Sequence, residues 1–176
     1  MPDPLHPAIV HFPIVLAVLL PVVTLVALIV TLRGSSARSW LVVVAFGGAL
    51  ALSSWLAIET GQVQEDAVEE VVPRSAIHEH EEAGEALLIT SGVLFLLLAA
   101  GLAPGRVGKA ARIVSAPASL VLLVMAFRVG GSGGELVYEH GAAAAYVTGS
   151  GSSTPASSGE RGEDHERDED REHRGG

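Results

Sequence analysis

The chain has 176 residues, 49% of them hydrophobic and 18% charged, with no cysteine and a formal net charge of −9. Counted as composition surveys count it, with Gly included and Tyr left out, the apolar share is roughly 59% against a usual 45–50%. Twelve of the 31 charges crowd into residues 160–174, so the rest has the composition of a membrane protein. An acidic balance with no long basic stretch excludes a nucleic-acid partner, and the absence of Cys excludes disulfides, thiolate metal sites and cysteine nucleophiles.

Four apolar segments follow in order: residues 9–32, 40–58, 86–102 and 112–129. Each is long enough to cross a hydrocarbon core of about 30 Å as a helix. Four of them leave too little polar chain to cover soluble helices. The expected fold is therefore all-α: a four-helix transmembrane bundle, up-down-up-down, over residues 1–147. Pro13, Pro21 and Pro117 fall within spans, where neighbouring helices can satisfy the freed carbonyls. Residues 148–176 read as a flexible Gly/Ser linker followed by a disordered charged C-terminal tail, because they are nearly free of apolar residues.

Charge gives the bundle a sense. The connection after the first span carries Arg33 and Arg38, and the one after the third carries Arg106, Lys109 and Arg112, with no acid in either. All twelve acids before the tail lie elsewhere, with only Arg74 and Arg128 as basic company. By the positive-inside rule the basic loops are expected to be cytoplasmic and both termini to lie outside.

Histidine carries the chemical signal. His6 and His11 open the first span, His78 and His80 precede the third, and His140 follows the fourth. An up-down-up-down order puts them at one end, together with Glu59 from the second span. His78, Glu82 and Glu85 share one helical face, and His80 points elsewhere. Pro7 places His6 in the approach to the helix and leaves His11 as the inward candidate. The stretch 128–140 is ambiguous: its four glycines either break the helix or permit close packing. If the helix continues, Arg128 needs a carboxylate such as Glu59 or an anionic ligand group.

The segments LHPAIVHFPIVL (5–16) and GGELVYEHGAA (133–143, with Tyr138 and His140) resemble the two signature ends of a bacterial membrane family known as domain of unknown function number 2231. The resemblance covers about residues 5–147 and implies a four-span domain of the inner membrane of a bacterial cell, in which His6, His11 and His140 match motif positions. Because relatives are joined to Rieske or cytochrome c domains, it also implies a redox setting. This chain departs from those relatives in having no Cys.

Three functions follow. The first is a redox-associated membrane protein whose histidines, His11 with His140 or His78, ligate a b-type haem, with Arg128 pairing a propionate and a redox protein or quinone as partner. The second is a site for a divalent metal ion built from His6, His11, His78, His80, Glu82 and His140. The third is a structural or assembly subunit without a cofactor. No nucleophile elbow, P-loop or dinucleotide fingerprint is present, so binding or electron transfer is expected ahead of enzyme catalysis.

Overall fold

An apolar chain in lipid must satisfy its backbone polar groups internally, and it does so here with helices alone. The computed structural model describes residues 5–145. Among the described residues there is no strand, and the elements are α1 (Leu5–Ile9), α2 (His11–Leu32), a 3-10 turn (Ala37–Trp40), α3 (Leu41–Val68), α4 (Arg74–Ala100) and α5 (Gly105–Tyr138). Four helical stretches are long and apolar enough to span a membrane: Leu5–Leu32, Ala37–Asp66, Arg74–Ala100 and Gly105–Tyr138. The expected linker and charged tail lie outside the described residues.

Each long helix packs on its neighbours in sequence, and α5 closes the ring against α2. The result is the expected up-down-up-down bundle. Its interior follows a heptad-like alternation of three and four residues, which lets long helices stay in contact through a left-handed crossing. In α2 the buried stripe runs Pro13, Ala17, Leu20, Thr24, Ala27. In α4 it runs Ile77, Leu87, Ser91, Leu94 and Leu98. Small residues set the distance between helices. A Cβ added at Gly47 would stand 2.5 Å from Leu98 Cδ1, so α3 and α4 approach more closely than a larger residue allows.

The basic end is tied by side chains. Trp40 is fully buried, and its indole Nε1–H donates to the Leu98 carbonyl at 2.8 Å. Arg112 Nε donates to the Gly101 carbonyl at 2.6 Å, and its guanidinium lies 5.9 Å from the Trp40 ring centroid. The last carbonyls of a helix have no intrahelical partner and carry its negative dipole end. Here the 3-10 turn that leads into α3 supplies one donor and α5 a cationic one to the C-terminus of α4, so three helices share one lock.

Two features differ from the expected spans. The helices run well past the apolar segments: α3 continues to Val68, α4 begins at Arg74, and α5 passes unbroken through its glycines to Tyr138. Their ends are held by a second small core of Val72, Ile77 and Ala142, with Val68, Ala76 and Leu136 against it. The first span, in contrast, is interrupted. Pro13 has no N–H for the carbonyl of Ile9 and its ring crowds that carbonyl, and the helix breaks at Val10 into α1 and α2. The short α1 then packs on α3 as well as α2.

The lock yields a contrast of two glycines. A Cβ at Gly101 would collide with Trp40 Nε1 and lie 2.9 Å from the Leu98 carbonyl oxygen, whereas one at Gly92 meets open space. Thermal unfolding of the detergent-solubilised chain should show Gly101→Ala destabilised by about 1–3 kcal/mol and Gly92→Ala within about 0.5 kcal/mol of the parent.

Candidate functional site

About 20 helical residues cross a hydrocarbon core. Counted from Trp40 just before α3, from Ala100 on α4 and from Arg112 on α5, that length reaches Thr60, His80 and Ser132. These residues meet. His80 Nδ1 lies 2.9 Å from Ser132 Oγ. His6, carried on α1, places Nδ1 2.8 Å from the Ala57 carbonyl oxygen and 3.4 Å from Thr60 Oγ1. The two imidazoles stand edge to face, with centroids 6.2 Å apart and planes at 87°. The site is therefore a histidine pair at the membrane boundary of the acidic end, beneath the small outer core.

Glycines admit both rings. A Cβ at Gly61 would lie 3.2 Å from His6 Cε1 and Nδ1, and one at Gly133 would lie 3.1 Å from His80 Cε1. The glycine run of α5 stays helical, and of its four members Gly133 alone lies against His80.

One hydrogen bond also assigns a proton. A carbonyl oxygen only accepts, so His6 Nδ1 carries the hydrogen that goes to Ala57. Ser132 Oγ lies 2.9 Å from His80 Nδ1 and 3.1 Å from the Val129 carbonyl oxygen, so its one hydrogen can go to either and the contact does not choose between the tautomers of His80. In the neutral form His6 therefore keeps its lone pair on Nε2. That is the tautomer in which an imidazole ligates a metal while its other nitrogen donates to a fixed partner.

The remaining candidates lie elsewhere. His11 is exposed at the start of α2. His78 has 71% of its side chain exposed and sits 3.2 Å from the Glu82 carboxylate. His140 is partly buried, 3.9 Å from Glu135, and apart from the pair. Glu59, Glu82 and Glu85 are exposed, and Tyr138 is 89% exposed. Arg128 is exposed although α5 continues past it, and among the described residues it forms no ion pair with Glu59. Among the described residues no three histidine or carboxylate groups gather into a metal-binding set.

Two placements depart from the expectations. His80 turns inward because it extends the buried stripe of α4 through Gly84 to Leu87, Ser91 and Leu94, while His78, Glu82 and Glu85 take the outer face. His6 turns inward because the Pro13 break lets α1 lean onto α3. The partners Ala57, Thr60 and Ser132 were not among the sequence candidates. Their only signal is position on the inner faces of α3 and α5, one turn or less from Gly61 and Gly133.

No curated protein and no solved structure matches the chain. A family model described as "Predicted membrane protein (DUF2231)" matches residues 2–145, and the chain belongs to that family.

Proposed function

We propose that this chain is a redox-associated membrane protein in which His6 and His80 would hold a b-type haem, which supplies one-electron transfer when bound, with the acidic end of the bundle facing outward. The observation that carries the reading is the pair of half-buried imidazoles from two helices, each anchored through Nδ1, with centroids 6.2 Å apart. With metal–nitrogen bonds of about 2.0–2.1 Å, two imidazoles on one metal have centroids roughly 5 Å apart at a tetrahedral angle and roughly 6 Å apart when nearly opposite. The centroid separation matches two imidazoles sharing one iron, and from the edge-to-face arrangement one ring would have to rotate to turn its Nε2 toward the metal. The separation does not favour a tetrahedral site, for which the described residues offer no third ligand.

The partners would then be a redox protein or quinone at the outer face. The chain's own residues orient and confine. Ala57 fixes the tautomer of His6, Ala57 and Ser132 anchor the two rings, Gly61 and Gly133 give the rings room, and the outer core of Val72, Ile77 and Ala142 lies between the pair and the acidic surface. Arg128, four residues before Ser132 on α5, is the cation available to a haem carboxylate.

The full chain, purified in detergent from a host supplied with haem, should show a Soret band that shifts on dithionite reduction. His6→Ala and His80→Ala should each lose most of that band, while His11→Ala and His140→Ala should retain it. Absence of the band in the parent, or its loss only in the latter pair, overturns the assignment. Stoichiometric metal without a Soret band would favour a simple metal site.

The orientation has its own test, aided by the lack of native cysteine. Of two single variants in intact cells, Glu70→Cys should react with an impermeant maleimide added outside, and Arg38→Cys should react only after permeabilisation.

A further inference from the structure

At the basic end, where nothing in the proposed redox role reaches, α2 and α5 leave a recess of about 180 Å³ lined by Leu28, Thr31, Leu32, Lys109 and Arg112. We propose that this recess binds the headgroup phosphate of an anionic phospholipid.

The charge is one-signed. Arg33, Arg38, Arg106, Lys109 and Arg112 all belong to this end, and neither connection there contains an acid to neutralise them. Arg112 is already oriented. Its Nε is committed to the Gly101 carbonyl and its guanidinium is held near the Trp40 ring, which leaves the two terminal nitrogens as donors in a fixed plane. Such a preset fork suits phosphate oxygens, and Lys109 adds a mobile point charge. Thr31 spends its hydroxyl hydrogen on the carbonyls of Ala27 and Leu28, so the two cations supply the donors.

The wall chemistry distinguishes a lipid from a free anion. Leu28 and Leu32 form the α2 side of the recess, and the neighbouring Ile29, Val30 and Leu32 are exposed along the same helix. An inorganic phosphate has no use for that surface. A phospholipid places its phosphate at the membrane boundary and its acyl chains along the adjoining apolar helix, which matches both halves of the lining. Basic recesses between spanning helices bind anionic headgroups in this way.

The test measures retention of phosphatidylglycerol, phosphatidylcholine and inorganic phosphate by the delipidated full chain in detergent, using native mass spectrometry. Phosphatidylglycerol should bind several-fold more tightly than phosphatidylcholine. Lys109→Ala should weaken phosphatidylglycerol by about fivefold, and Arg106→Ala, on the same helix but outside the recess, should leave it within about twofold. Arg112 is kept intact because the bundle's lock depends on it. Equal losses in the two variants would assign the effect to diffuse surface charge and overturn the site. Equal binding of the two lipids, or inorganic phosphate displacing phosphatidylglycerol at comparable concentration, would overturn the lipid assignment.

Discussion

The register of this bundle depends on the carbonyl groups at the C-terminus of α4. The Leu98 carbonyl accepts the Gly101 N–H and also the Trp40 indole, which reaches it from the 3-10 turn before α3, and Arg112 reaches the Gly101 carbonyl from α5. That meeting fixes the level of three helices relative to one another. Because a helix is a ruler of 1.5 Å per residue, the same agreement is carried to the far side, where Thr60, His80 and Ser132 arrive together. The histidine pair is thus a remote consequence of a lock built from one indole and one guanidinium.

The first helix joins this arrangement by a different device. Its path along the bundle is interrupted at the residues crowded by Pro13, and the short α1 uses that freedom to cross onto α3 and deliver His6. One member of the pair therefore rides on a continuous spanning helix and the other on a five-residue segment. Both imidazoles are anchored through Nδ1, yet carried by elements of very different length.

Much of the architecture was legible in the residues themselves. Apolar segments of spanning length, acid-free basic connections and a shared end for the histidines all follow from composition and order, and they reappear in the bundle. The site was less legible. Reading His78, Glu82 and Glu85 as the patterned face singled out the outer side of α4. The alternation running back from Leu98 through Leu94, Ser91, Leu87 and Gly84 points instead to His80. Counting that stripe from the apolar core outward, rather than from the polar end inward, separates the two. His6 could not be placed in this way, because its position depends on a break and on a partner 51 residues away. Ser132, Ala57 and the glycines beside them carry no chemical signature until the opposing ring is known.

The helices of the bundle differ in length: α5 has 34 residues, whereas α2 has 22 and is preceded by the five-residue α1. Hydrophobic mismatch between such a bundle and a bilayer is therefore not shared equally among its helices. The longest helix carries Ser132 and Gly133 beside His80, so a change of bilayer thickness would bear on the wall of the histidine pair through α5.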